Sequence, residues 1–351
     1  MRVLVDTSFA ARGPSGTAVY IERLTEALRA RGDVDVVEAR RRRRPAPGRS
    51  RARGRLFWSA VNAVLDVAWL QVALRFRARR ARADVIHHPL PAWMWRAPCA
   101  QAITVHDLAF EHLPEGFGRV WRILARRRHR AAARRAGAVI CVSRAAATDA
   151  VGILGADPET VVVAPHGPGQ ALPARSSAAG RPSHFLYVGD DEPRKRVAAL
   201  VEAHRRYAAA RQDALPLVLA GTAAQRANGA PLAVGEPRPD GSRLAELFAG
   251  AAALVHPSAD EGFGLTLAEA MASGVAVLAV RNPGTHELCG SAALLVEPDG
   301  LAEGMKRLHD EGDLRVRLAR AGQERAQQLS WDESARLHEA AYSLASMQGG
   351  A

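Results

Sequence analysis

Short apolar runs alternate with longer stretches of helical spacing along almost the whole chain. In the first half Val3–Val5, Val34–Val37, Val85–His87, Ile103–Val105, Val139–Val142 and Val161–Ala164 read as strands. In the second half Phe185–Val188, Leu217–Ala220, Leu254–His256, Val275–Val280 and Ala293–Val296 do the same. Most of these runs are continuously apolar rather than alternating, as in parallel strands covered on both faces. Helical patterns, such as Ala18–Ala30, lie between them, so the expected unit is βαβ and the fold class is α/β. A chain of 351 residues exceeds one ordinary α/β core. Two doubly wound domains follow, residues 1–170 and 183–330, joined by a Pro-, Gly-, Ala- and Ser-rich linker at 171–182. Residues 331–351 form a closing helix, and no short-period repeat is evident.

Two adjoining segments break this rhythm. Residues 40–55 hold Arg40–Arg44, Pro45, Pro47, Gly48 and four further arginines, too dense in like charge to pack, and read as flexible. Leu56–Leu74 is then a nineteen-residue apolar stretch interrupted by Asn62, Asp66 and Gln71. Its length suits a membrane span, but a charge near the centre costs about 2.5–3.5 kcal/mol on insertion. Ser59, Asn62 and Asp66 share one helical face. Either a helix packed on the first domain's sheet or an amphipathic helix lying on a membrane surface, anchored by Phe57, Trp58, Trp69 and Phe76, is therefore expected.

Charge is unevenly divided. Residues 1–170 carry 29 basic against 14 acidic residues, a net of +15, whereas residues 171–351 carry 19 against 22, a net of −3. Arginine clusters at Arg75, Arg77, Arg79, Arg80 and Arg82, and again at Arg126–Arg128 with Arg130, Arg134 and Arg135. An anionic partner for the first domain follows. A nucleic-acid binder is disfavoured, because neither a helix-turn-helix signature nor an aromatic stacking platform accompanies the charge. Cys99, Cys141 and Cys289 are scattered without a C-x-x-C pair, which excludes a cysteine zinc site and fits a reducing cytosol. The start, Met1-Arg2-Val3-Leu4-Val5-Asp6, is a strand broken by an acid rather than a signal peptide.

The strongest chemical signal is Asp260-Glu261-Gly262-Phe263-Gly264-Leu265 followed by Glu269-Ala270-Met271. An apolar strand precedes it and helical spacing follows, so the segment is a strand, a turn and a helix N-terminus. Such a terminus offers unpaired N–H groups and the positive end of a dipole to a phosphate. Gly262 and Gly264 let backbone approach the ligand closely. Glu261 and Glu269 flank this cradle with acceptor-only carboxylates, an arrangement that suits a ligand with hydroxyls on both sides of its phosphates, as a nucleotide sugar has.

Glu261 through Glu269 resembles the E-x7-E signature of retaining glycosyltransferases of the GT-B fold, family 4 (group 1). Phe185-Leu186-Tyr187-Val188-Gly189 with Glu192-Pro193-Arg194-Lys195 is similar to that family's second-domain opening, and Val105-His106-Asp107-Leu108-Ala109 to its first-domain HDL segment. Val139–Ser143, Val161–Gly167 and Ala292–Pro298 match in order and spacing, so the likeness covers most of the chain. It implies two Rossmann-like domains facing each other across a cleft, the first binding acceptor and the second binding donor, with residues 331–351 crossing back to the first.

The resemblance also implies roles. Arg194 and Lys195 stabilise the departing nucleoside diphosphate, Glu261 contacts the donor sugar, Glu269 the ribose, and His106 lies near the sugar. Gly189 and the backbone of Gly262, Phe263, Gly264 and Leu265 complete the donor site, with Gly16, in Gly13-Pro14-Ser15-Gly16-Thr17, facing the diphosphate. Two departures stand out: Asp190 replaces an arginine common after the glycine, and Pro14-Ser15 replaces paired glycines. No metal or cofactor is implied beyond the nucleotide sugar. The function expected is hexosyl transfer, of mannose or glucose type, with retention, to a hydroxyl acceptor that is lipid-linked or part of a cell-envelope polysaccharide or glycolipid. Location is then cytoplasmic, peripheral at the inner face of the plasma membrane. A soluble enzyme acting on a small metabolite or natural product, and a non-catalytic GT-B binding protein, are the alternatives.

Overall fold

The computed structural model describes residues 1–10, 15–41, 61–170 and 182–348. Gly13, Pro14, the arginine run beyond Arg41, residues 56–60 of the apolar stretch and linker residues 171–181 lie outside the described residues. The chain forms two compact units, one of residues 1–106, 123–165 and Trp331 onward, the other of residues 107–122 and 166–330.

In the first unit six parallel strands lie in the order β2-β1-β3-β4-β5-β6. They are β1 (Arg2–Asp6), β2 (Asp35–Ala39), β3 (Val85–His88), β4 (Ala100–Val105), β5 (Ala138–Cys141) and β6 (Val161–Val163). Side chains alternate between the sheet's two faces. Val3, Val5 and Val85 meet helix α1 (Gly16–Arg31) through Tyr20, Ile21 and Leu24, together with Tyr342 and Ala345 of the C-terminal helix Trp331–Gln348. A Cβ on Gly137 would stand 2.9 Å from the Cα of Ala345, so only glycine lets this helix sit so near. Leu4 and Ile86 point the other way, onto Leu74 and Ala78. Those two belong to helix α2, which runs through residues 61–68, a π-turn at Trp69–Ala73 and Leu74–Ala81. Thus Trp69, Leu70 and Leu74 of the apolar stretch pack on the sheet, whereas Val64, Val67 and Val72 are exposed. Asp66, the charge within it, pairs with Arg41. Among the described residues no helix is long and apolar enough to cross a membrane.

A polar chain runs through the core of this unit. His338 Nδ1 lies 2.7 Å from the carbonyl oxygen of Ser334, which can only accept, so that nitrogen carries the proton and Nε2 is an acceptor. Tyr20 must then donate to His338 Nε2 at 2.9 Å and accept from Thr104 at 2.8 Å. Thr104, its one proton used, accepts from His87 Nε2 at 2.8 Å, which leaves His87 Nδ1 to accept from Tyr342 at 2.9 Å. Every proton in the chain points the same way. Burial pushes both imidazoles down, His338 to about 4, so both are neutral near pH 7.

The second unit repeats the architecture in the order β12-β11-β10-β7-β8-β9. Its strands are β7 (His184–Val188), β8 (Leu217–Ala220), β9 (Ala233–Glu236), β10 (Ala251–His256), β11 (Val277–Val280) and β12 (Leu294–Val296). Phe185, Leu219, Val255 and Leu278 pack on Leu200 and Tyr207 of one helix and Met305 and Leu308 of another. The division differs from a cut near residue 170: residues 107–122 and 166–170 join the second unit. Strand β9 went unread in the sequence. It is a four-residue edge strand, half exposed, lying between Pro231 and Pro237 and after Leu232 at φ +55°.

Candidate active site

Both halves of the site in the second unit begin at carboxyl ends of neighbouring strands, β7 and β10, where open α/β sheets place ligands. After β7, Gly189 leads into a tight turn, Pro193–Lys195, that presents Arg194 and Lys195. After β10, the chain passes through His256 and the loop 257–264 into the helix Leu265–Ala272. The two loops are tied directly, since the Ala259 N–H donates to the Arg194 carbonyl at 2.9 Å. Ser258 Oγ donates to the Asp260 carbonyl at 2.8 Å, and Asn282 Nδ2 donates to the Ser258 carbonyl at 3.1 Å. Gly284 presses so close that a Cβ there would stand 1.8 Å from the Glu261 carbonyl oxygen.

Glu261 is the centre of charge. Its Oε2 lies 2.5 Å from Lys195 Nζ, 3.1 Å from His256 Nε2 and 3.8 Å from an Arg194 nitrogen. Burial alone would push this carboxyl up. Lys195, then His256 and Arg194, outweigh it and hold the group well below the usual carboxylate range. His256 is pushed down by burial, against the pull of Glu261, so the neutral ring donates its Nε2 proton to the carboxylate. Arg194 is also flanked by Glu192 at 2.9 Å and Asp107 at 3.9 Å. For its guanidinium, burial favours loss of the proton, but these carboxylates raise the pKa further still.

Asp107, from the HDL segment, caps the turn by accepting from the Ala109 N–H at 3.2 Å. Its neighbour His112 meets Asp260 at 3.0 Å. Burial pushes the Asp260 carboxyl up, with His112 opposing.

The helix Leu265–Ala272 starts at Gly264, whose φ of +93° is a left-handed conformation that favours glycine. Gly264 carries no side-chain cap for the helix, and among the described residues no acceptor meets the N–H groups of Gly264, Leu265 and Thr266. Three such donors at a helix N-terminus, with the half-buried Arg194 and Lys195 in the neighbouring loop, suit an anion. Glu269 lies one turn further on, 4% exposed, and its Oε1 accepts the Gln170 N–H at 3.0 Å. Phe263 packs on His166, ring centroids 5.0 Å apart. Asp190, where an arginine was expected, is bonded to Thr222 at 3.0 Å.

Gly16 and His106 belong to the first unit. Gly16 opens α1 behind Ser15, whose hydroxyl accepts the Ala18 N–H at 3.2 Å. His106 follows β4, donates Nε2–H to the Pro89 carbonyl at 2.9 Å and stands edge-on to Tyr20 at 4.8 Å. In the neutral ring Nδ1 is then the acceptor nitrogen.

Two models of known families match consecutive parts of the chain. Glycosyltransferase Family 4 covers residues 14–168, and Glycosyl transferases group 1 covers residues 170–325. The chain belongs to the family 4, group 1 glycosyltransferases. Among curated relatives of this glycosyltransferase is the O-antigen chain mannosyltransferase B of Escherichia coli, 28% identical over 183 residues, 48% of each chain. The chain thus spans about half or less of the length of the curated relatives it matches. Sucrose-phosphate synthase from Thermosynechococcus elongatus superposes with a TM-score of 0.77 at 20% identity over 98% of both chains. An Anabaena protein in complex with UDP-glucose gives 0.67 at 16%, over 98% of this chain and 100% of that one. These likenesses show the GT-B fold.

His256 is the residue of this glycosyltransferase's site that the sequence did not single out. Its signal was present: a histidine ending a buried strand, five positions before Glu261.

Proposed function

We propose that the protein is a retaining glycosyltransferase that moves a hexose, of mannose or glucose type, from a nucleoside-diphosphate sugar to a hydroxyl acceptor. The observation that carries this reading is the ionised Glu261 held among Lys195, Arg194 and His256, beside the N–H groups that open the next helix. A diphosphate in that cradle gains charge as its bond to the anomeric carbon breaks, and fixed cations and N–H groups stabilise such developing charge most. Arg194 and Lys195 bear on the departing phosphate, Glu261 on the sugar hydroxyls and Glu269 on the ribose. For His106 and Gly16, roles near the sugar and the diphosphate rest on the family resemblance alone.

In the step itself the C–O bond to the β-phosphate breaks and a C–O bond to the acceptor forms on the same face. The acceptor's proton passes to the departing phosphate oxygen. The two cations and the helix end supply the positive charge this requires, so turnover proceeds without an added metal. An acceptor that is lipid-linked or belongs to a cell-envelope glycan is supported by the O-antigen relative and by the basic first half of the chain. Purified protein incubated with UDP-, GDP-, ADP- and dTDP-sugars tests the reading. Hydrolysis or transfer from one donor, lost in Glu261→Ala and Lys195→Ala, supports it; binding of none rules it out.

A further inference from the structure

The loop between β3 and β4, residues 89–99, presents one exposed aromatic ring on a fixed backbone. Trp95 is 74% exposed, whereas Met94 beside it is fully buried in the cluster of Leu4, Ile86 and Leu74. Two glutamines from different elements hold the chain here. Gln101 of β4, itself buried, donates Nε2–H to the Met94 carbonyl at 3.0 Å and accepts the Met94 N–H at 2.8 Å. Gln71 of α2 donates to the Trp93 carbonyl at 3.0 Å and accepts the Trp95 N–H at 2.9 Å. Both peptide groups flanking Met94 are thus bonded at oxygen and at N–H, each glutamine taking one end of each. Arg96 then turns the chain at φ +50°, a left-handed conformation uncommon for a residue with a side chain.

Single exposed apolar side chains need no explanation. An indole held out by two side chains that clamp its backbone, next to a strained residue, does. Its position narrows the explanation. The loop begins at the carboxyl end of β3, the edge at which open α/β sheets receive ligands. Its first residue, Pro89, accepts from His106 Nε2 at 2.9 Å. Within the first unit, the loop that carries Trp95 is therefore tied to the histidine that family resemblance places near the sugar.

We infer that Trp95 is the platform of an acceptor subsite for a saccharide, its indole stacked on the apolar face of a pyranose ring. The C–H bonds of such a face carry slight positive charge and meet the negative face of the indole. Arg96 is exposed, meets no carboxylate among the described residues and can donate to the sugar's hydroxyls. Among the described residues from 77 to 119 no other large apolar side chain is exposed. One ring suits such a surface, whereas an acyl layer or a protein interface needs a contiguous apolar patch. The inference rests on the transferase reading only for the name acceptor, and adds that the hydroxyl receiving the hexose belongs to another sugar.

Saturation-transfer NMR of the full chain with methyl α-mannoside, methyl α-glucoside, mannobiose and maltose tests it, with mannitol as the control that has hydroxyls but no ring face. At least one saccharide is expected to bind, saturated most strongly along one face of its ring, and mannitol is not. Trp95→Ala weakens that binding about tenfold. Trp95→Phe, which keeps a smaller aromatic face, weakens it about two- to threefold. The phenylalanine variant decides if the alanine variant fails to fold by circular dichroism. Saccharide binding that is equal in wild type and both variants, or no stronger than that of mannitol, overturns the inference even if a donor turns over. It is equally overturned if no saccharide binds while Trp95→Ala releases the chain from phosphatidylglycerol vesicles. With no donor turned over, Trp95-dependent binding keeps the saccharide site and removes only the transferase reading.

Discussion

Lys195 Nζ and Glu261 Oε2 stand 2.5 Å apart, with their side chains only 14 and 10% exposed. Each is the other's nearest opposite charge, and they stand on the loops that follow the neighbouring strands β7 and β10. Lys195→Ala removes the main influence that keeps Glu261 ionised. Stranding a buried charge entirely would cost roughly 3–5 kcal/mol. His256 and Arg194 remain, so a loss of about 1–3 kcal/mol is expected in urea unfolding. Turnover should fall further than stability suggests, by about 10²–10³ in kcat.

His256, its side chain 3% exposed and 3.1 Å from Glu261, is expected to act through that carboxylate. His256→Phe removes the donor at 3.1 Å and should lower kcat about 10- to 100-fold while nucleoside-diphosphate affinity changes little. His256→Asn keeps a donor and should recover part of the loss. Equal losses in both variants, with weakened nucleotide binding, would instead mark a purely structural role.

Gly284 tests how firmly the Glu261 loop is held. A methyl group there would lie 1.8 Å from the Glu261 carbonyl oxygen, and backbone cannot yield as a flexible side chain can. Gly284→Ala is expected to cost about 1–3 kcal/mol, read from urea denaturation, and to abolish turnover by displacing the carboxylate.

The hydrogen-bonded chain from Tyr342 to Ser334 predicts acid sensitivity with a definite sign. His338, ordinarily near 6.5, is held at about 4 in the folded protein, so the unfolded chain binds the proton more readily between those values. Stability from this group is fully present above pH 6.5 and falls by about 3 kcal/mol as pH drops to 4. His87, pushed down likewise, adds to the loss in the same direction. The Glu261 cluster behaves differently: its stabilisation is present above the ordinary carboxylate range and is lost only as pH falls below it. Thermal unfolding followed from pH 7 to 4 should show the decline, and His338→Gln should flatten it.

Most strands were legible as short runs rich in Val, Ile and Leu, because a parallel strand covered on both faces needs little else. Even so, β10 began three residues before Leu254, at Ala251, since alanines carry weak strand signal. Strand β9 was hidden because an exposed edge strand needs no apolar run. Glu261, Arg194 and Lys195 could be named from motif and position, but their convergence, 66 residues apart, depends on strand order. That β7 and β10 are neighbours cannot be read from either segment alone. His256 was missed because a histidine ending an apolar strand looks like core until its partner is seen. The double character of α2 was only half legible, since an apolar stretch alone does not say which side the sheet takes.

The most direct test is the anomeric configuration of the product, followed by proton NMR with the preferred nucleotide sugar and a hydroxyl acceptor, in the presence of a metal chelator. The account predicts transfer with the donor's configuration retained, undiminished by the chelator and lost in Glu261→Ala and Lys195→Ala. An inverted product, or turnover that survives both substitutions, would contradict it.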